Sequence, residues 1–161
     1  MAQTQKCQVI FAPSTETPRD DIVKTVFLAG TTNNVPGEAD WRETLAASLA
    51  DAPVALFNPH RADWDGSWSE SVGFPPYREQ LTWEMEKQER ADVIAFHFHP
   101  RSQAAVSLLE LGLCARVAGK AVVCCPSGYW KRGNVQMVCE IFGVQMVDSV
   151  EELGAAILSR L

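Results

Sequence analysis

Glu110 sits in the run Val106-Ser107-Leu108-Leu109-Glu110-Leu111-Gly112-Leu113, where nearly every neighbour is apolar. Wound into a helix, this run puts apolar residues on every face, so the sequence predicts a helix that is largely buried. An ionised carboxylate there costs several kcal/mol unless a partner neutralises it, and its pKa is driven toward neutrality. Two readings are open: a poised carboxylate that does chemistry, or a structural acid paired with an arginine or a capped backbone. Further carboxylates come from the segment Tyr77 to Arg90, which carries Glu79, Glu84, Glu86 and Glu89. Leu81, Glu84, Met85 and Gln88 share a face by three- and four-residue spacing, which turns Glu84 inward. Glu79, Glu86 and Glu89 fit a solvated face beside Arg78, Lys87 and Arg90. Two carboxylates flanking one sugar carbon suffice to cleave a glycosidic or N-glycosidic bond, one at the anomeric centre and the other as proton donor.

Such a pair needs a frame. Thr25-Val26-Phe27-Leu28-Ala29 reads as a buried strand ending at Gly30, followed by strands at Val54 to Phe57, Asp92 to Phe98, Ala121 to Cys125 and Val144 to Val147. Helical segments alternate with them: Asp40 to Ala50, Tyr77 to Arg90, Gln103 to Ala118, one starting near Asn134, and Val150 to Leu161. The alternation predicts a single α/β domain over residues 25–161, a doubly wound five-stranded parallel sheet of flavodoxin or Rossmann-like type with helices on both faces. Residues 1–24 form an N-terminal segment with one candidate edge strand, Cys7 to Ala12. Ligands of such sheets sit beyond the carboxyl ends of the strands, where strand order reverses. The turns Gly30-Thr31-Thr32-Asn33, Asn58-Pro59-His60-Arg61, His99-Pro100-Arg101-Ser102 and Pro126-Ser127-Gly128 therefore hold candidate binding residues. The first has one glycine and no GxGxxG, and no GxxxxGK[ST] occurs, which argues against dinucleotide and P-loop sites.

Composition narrows the partner. With 161 residues and 47% hydrophobic content, the chain can bury a real core. A formal charge of −6, with no basic cluster beyond Lys131-Arg132, excludes a reader of nucleic-acid backbones and points to a small ligand. Lys131 and Arg132 either hold a phosphate or simply precede a helix. Five cysteines, an odd number without zinc-type spacing, read as reduced core residues. No apolar stretch approaches the roughly eighteen residues of a membrane span, the first residues lack a signal-peptide core, and a cytoplasmic protein is expected.

His97 and His99 point the same way on one strand and His60 follows another, but no carboxylate ligand accompanies them and no metal centre is expected. His99, at the strand mouth, reads as a pocket wall or hydrogen-bond donor. The loop Arg61 to Trp68 offers Arg61, Asp63, Asp65 and Trp68, which can stack a base on an indole and hold its polar edges, or serve as an exposed lid or subunit contact. Asp63-x-Asp65-Gly66 has the wrong offsets for a calcium loop.

The ordered set Phe27-Leu28-Ala29-Gly30, Asn58-Pro59 leading into Asp63-Trp64-Asp65, Trp83-Glu84 eight residues before Ala91-Asp92, Leu109-Glu110-Leu111-Gly112 and Gly133-Asn134-Val135 resembles the nucleoside 2-deoxyribosyltransferase-like superfamily over roughly residues 25–147. The resemblance implies that Glu110 is the nucleophile forming a glycosyl-enzyme intermediate at C1′. It implies that Glu84, one methylene longer than the aspartate common at that position, contacts or protonates the leaving base. Gln103-Ala104-Ala105-Val106-Ser107 stands where the family has a turn holding sugar hydroxyls, which makes Ser107 a binding candidate. Asn134 corresponds to an asparagine often supplied by a neighbouring subunit, implying a homo-oligomer, dimer or higher, with shared sites. Neither cofactor nor metal is implied.

The expected function is cleavage of an N-glycosidic bond of a nucleoside or nucleotide, with transfer of the (deoxy)ribosyl group to another base or to water. Glu110 and Glu84 are the catalytic pair, and Gly30, Thr31, Asn58, Arg61, Asp63, Asp65, Trp68, His99, Ser107 and Asn134 line the substrate. Alternatives are a nucleotide-binding sensor without turnover and a flavin carrier, which leaves Glu110 unexplained.

Overall fold

The structure, a computed structural model, describes residues 6–32 and 35–161. Asn33, one of the turn residues after Gly30, lies outside them. In chain order the elements are β1 Gln8–Phe11, β2 Lys24–Gly30, α1 Trp41–Ser48, β3 Val54–Asn58, α2 Pro75–Arg90, β4 Val93–His97, α3 Ala105–Cys114, β5 Ala121–Cys124, α4 Arg132–Phe142, β6 Gln145–Val147 and α5 Val150–Leu158. All strand pairs are parallel, in the order β1-β3-β2-β4-β5-β6.

The sheet has six strands, not the five expected. The sixth is the candidate edge strand of the N-terminal segment, β1, which runs parallel to β3 from Gln8↔Ala55 to Phe11↔Asn58. Its four residues are too few to declare a period, and the partner that satisfies their backbone lies far along the chain. Gln8 ties the following link to this edge: its amide donates to Glu16 Oε1 at 2.7 Å, and its carbonyl oxygen accepts from the Arg19 N–H at 2.9 Å.

Successive strand residues feed two separate cores, as the two-residue strand period requires. Val26, Leu28, Leu56, Ala95 and Val122 pack with Trp41, Leu45 and Leu49 near α1 and with Leu153, Ala156 and Ile157 of α5. Phe27, Ala29, Ile94, Phe96 and Val123 pack with Trp83 of α2, Leu111 and Cys114 of α3, and Val135 and Cys139 of α4. Adjacent Cys124 and Cys125 divide between these cores.

The α3 helix is not largely buried. Ser107, Leu111 and Cys114 face the sheet, while Val106, Leu109 and Leu113 are exposed, Leu109 at 66%. A helix laid on a sheet buries one stripe, and among the described residues nothing covers the other. The exposed Met137 and Ile141 continue an apolar surface on α4.

Strand order reverses between β2 and β4, so the turns after these strands diverge in opposite directions. They are held close. Gly30 has φ +121°, and a Cβ there would stand 2.3 Å from the His97 carbonyl oxygen, so only glycine permits this approach. The Thr31 N–H then donates to the same His97 oxygen at 2.9 Å.

Candidate active site

The α2 helix begins with Pro75 and Pro76, whose fixed φ and missing N–H suit a first turn. Gln80, Trp83, Lys87 and Gln88 are its buried residues, and Glu84 lies half-buried between them. Gln80, Glu84 and Gln88, spaced by four, form one row along the helix. Met85, expected on this inward face, is 56% exposed, because Trp83 and Lys87 take the sheet-facing position and rotate Met85 to the flank. Trp83 is fixed by an indole N–H bond to the Ser14 oxygen at 2.8 Å, and the Lys87 ammonium sits 5.0 Å from the Phe57 ring centre. Glu79, Glu86 and Glu89 are exposed, and Glu79 pairs with Arg61 at 2.6 Å.

Each central carboxylate is gripped by a glutamine of α2. The Gln80 amide donates to Glu84 Oε1 and to the Pro59 oxygen, both at 2.8 Å, which anchors Glu84 just past the end of β3. The Gln88 amide donates to Glu110 Oε1 at 2.5 Å, joining α2 to α3. Burial pushes the Glu110 carboxyl up to about 7; the Gln88 hydrogen bond opposes this, the Glu84 charge adds to it, and Arg42 opposes it. Burial also raises Glu84, against the Gln80 hydrogen bond and Arg42. Both carboxyls are therefore shifted in the same direction, chiefly by burial.

The remaining predicted residues fall into three groups. Thr31 and His99 meet at the β2–β4 divide: Thr31 Oγ1 accepts from the His99 N–H at 3.0 Å and shares a hydrogen bond with Ser102 Oγ at 2.6 Å. His99 Nε2 lies 2.6 Å from Glu38 Oε2. Both residues line a cavity of about 290 Å³ together with Glu38, Asp40, Trp41 and His97; Glu84 and Glu110 do not line it. Buried Asn58 accepts from the His60 N–H through Oδ1 at 2.9 Å, closing the turn after β3. Ser107 is buried against the sheet, one turn before Glu110.

The loop after β3 folds on itself. Arg61 is buried, bonded to Asp63 at 2.7 Å, and stacked 5.0 Å from the Trp68 ring centre. Trp64 packs on Trp68 at 4.8 Å and on Tyr77 at 6.0 Å, and Trp68 on Phe74 at 5.8 Å. Asp65 caps the Ser67 N–H at 2.7 Å. Asn134 is exposed in the first turn of α4. Arg132 is committed locally, to the Cys125 oxygen and to Asp148, both at 3.0 Å. The turn Gln103-Ala104 before α3 holds Ala104 at φ +45°, and Tyr129 and Trp130 both donate to the Gln103 oxygen, at 2.6 and 3.1 Å.

The roles of three residues escaped the sequence reading, although Gln88 was placed on the inward face. Gln80 and Gln88 flank Glu84 at four-residue spacing, a signal visible only once the carboxylate partners are known. Arg42, in the first turn of α1, is 4% exposed although it carries a charge. An arginine beside the Asp40 cap reads as a solvated residue until the helix is docked. Among the described residues, no group of three His, Cys, Asp or Glu side chains is placed to hold a metal ion, and no helix is long and apolar enough to cross a membrane.

A family model described as nucleoside 2-deoxyribosyltransferase like matches residues 23–129, a span that includes Glu84 and Glu110 and stops short of Asn134. No curated protein matches the chain. Among solved structures, a conserved protein from Enterococcus faecalis V583 shares the fold, with a TM-score of 0.56 and 15% identity over 86% of this chain and 99% of that one.

Proposed function

The chain belongs to the nucleoside 2-deoxyribosyltransferase-like family, and from that premise we propose that it cleaves the N-glycosidic bond of a nucleoside or nucleotide with retention, using Glu110 and Glu84. The observation that carries this reading is the pair of half-buried carboxylates on facing helices, each held by a glutamine amide. The Glu110 carboxylate attacks C1′, the bond from C1′ to the base nitrogen breaks, and the electron pair leaves with the base. Glu84 protonates the departing nitrogen, leaving a glycosyl ester on Glu110. In the second half, an incoming base or water attacks C1′, gives its proton to Glu84 and releases Glu110. Thr31, His99, Ser107 and the aromatic loop from Arg61 to Phe74 are the residues assigned to substrate.

The same reading takes the protein to be a homo-oligomer. Asn134, Met137 and Ile141 lie three and four residues apart, so the asparagine shares the exposed apolar row of α4 beside that of α3. A second copy seated there covers the apolar surface next to Glu110 and brings its own Asn134 toward the pair. The five cysteines are free and buried, which supports a reducing compartment, the cytoplasm.

The test is incubation of the protein and its Glu110→Ala variant with a panel of nucleosides and nucleotides, with and without a second free base, products being followed by chromatography. Free base that appears only with Glu110 intact supports the reading, and exchange into the added base selects transferase over hydrolase. Binding without product across the panel replaces it with the sensor reading.

A further inference from the structure

Gln80 is 4% exposed, and its side-chain nitrogen makes two hydrogen bonds. It donates to the Pro59 oxygen and to Glu84 Oε1, each at 2.8 Å. A primary amide has two N–H donors, so both are used here. Turned over, the amide would aim its oxygen at two acceptors. In the observed orientation Gln80 Oε1 is sealed from solvent with no partner among the described residues. An unpaired buried acceptor is costly, so the donations to Pro59 and Glu84 must outweigh it.

The Pro59 end of this bridge is fixed. Asn58 closes the turn by accepting from the His60 N–H, β3 lies between β1 and β2 in the sheet, and the proline ring holds its own φ. The Gln80 bond thus closes the neck of the loop that leaves β3 and re-enters as α2, and the Arg61–Glu79 pair closes it alongside. Glu84, one turn further along α2, is tied to this neck through Oε1, and among the described residues its Oε2 has no hydrogen bond.

We propose that Gln80 is a positioning residue for the proton donor: it holds Glu84 Oε1 as the accepting oxygen and leaves the proton on Oε2, the atom that delivers it to the departing base. The proposal rests on the reading of Glu84 as that donor. A carboxyl oxygen that accepts an N–H stays the carbonyl oxygen, and the proton goes to the other. As the bond from C1′ to the base breaks, Oε2–H passes its proton to the base nitrogen, which takes the electron pair of that bond. Because the neck is pinned to β3, the place of the donor is set by the sheet rather than by the loop from Arg61 to Phe74.

The experiment reads the first step alone, as single-turnover release of the leaving group from the nucleoside or nucleotide the protein cleaves and from the matching para-nitrophenyl riboside or deoxyriboside. Nitrophenolate departs without a proton, so only release of the base needs the donor. Q80M removes both N–H groups and keeps the length. It slows base release about tenfold with little change in substrate affinity, and nitrophenolate release by no more than about twofold. In the E84Q background Q80M adds nothing to the loss of base release. Equal slowing of both substrates, or a full tenfold loss on top of E84Q, overturns the proposal.

A second measurement needs no turnover: glutamate side-chain carbon-13 signals of the full chain against pH, with Glu84 assigned through E84Q. Q80M raises the Glu84 midpoint by about half a pH unit or more, since a bond favouring the charged form is gone. Arg42 and Glu110, the other charged groups that act on the pair, are unchanged in the variant. A wild type that cleaves neither substrate overturns the proposed reaction, and the titration then decides for Gln80: a raised midpoint supports its hold on Glu84, and an unmoved one overturns it. If Q80M does not fold, Q80L takes its place. If neither folds, Gln80 is structural and the proposal fails.

Discussion

Gln88 donates its side-chain amide to Glu110 at 2.5 Å across the seam between α2 and α3. A hydrogen bond that favours the charged form of a half-buried carboxylate is worth about 1.5–3 kcal/mol. Replacing Gln88 by Met removes the donor while keeping the volume. The Glu110 carboxyl then rises above about 7, and kcat near pH 7 falls by about tenfold. Raising the pH toward 9 recovers part of the loss. A pH–rate profile that is merely scaled down, with its acid limb unmoved, would contradict this role for Gln88.

Glu110→Gln separates chemistry from stability. Its folded pKa, about 7, lies above the ordinary value of 4.5. The stability this group contributes is therefore fully present below about 4.5 and is lost as pH rises through about 7. Glutamine carries no such penalty and still accepts from Gln88. The variant loses turnover by a factor of about a thousand or more, yet at pH 8 it is more stable than wild type by an amount on the order of 1–3 kcal/mol. At pH 4 the difference disappears. Thermal melts at the two pH values measure it.

Gly30→Ala attacks the frame instead. The added carbon meets the His97 carbonyl oxygen at 2.3 Å, at a φ of +121°. The strained backbone and the clash together cost on the order of 3 kcal/mol or more. A melting temperature within a degree or two of wild type would be inconsistent with the close approach of β2 and β4.

The exposed row on α3 gives a prediction about assembly. Leu109→Asp places a charge where the side chain is 66% exposed in the single chain. On the proposed homo-oligomer with a shared Asn134, light scattering then finds a monomer in place of a dimer or larger wild type, and activity falls by about tenfold or more. The fold of the single chain, read by circular dichroism, is unaffected. A wild-type protein that is already monomeric at micromolar concentration rules this out.

The apolar runs at Val26 to Ala29, Val54 to Phe57, Ile94 to Phe98 and Ala121 to Cys125 were readable as strands because both sides of a parallel sheet are covered. The edge strand β1 was legible only as a candidate over Cys7 to Ala12, because four residues are too few to show a period. The partial burial of Glu110 was readable from its apolar neighbours, and that of Glu84 from its three- and four-residue spacing with Leu81 and Gln88. The outer face of α3 was misread on the same logic, since Leu109 and Leu113 look like core until one finds that no part of the described chain covers them. The roles of Gln80, Gln88 and Arg42 were not legible, although Gln88 was placed on the inward face: a polar side chain on an amphipathic helix announces no partner until packing supplies one.

Gly30 and His97 meet through backbone atoms alone, and Thr31 continues the contact with its own N–H. The gap between the two central strands is therefore set by main chain, and only the bare glycine at position 30 keeps it. The segment from Arg61 to Phe74 is free to be rewritten, since its aromatic cluster and the Arg61–Glu79 pair hold it together with little help from the sheet. On the proposed reading of this loop as part of the substrate site, a change of preference falls on the loop while the strand floor beneath it stays the same.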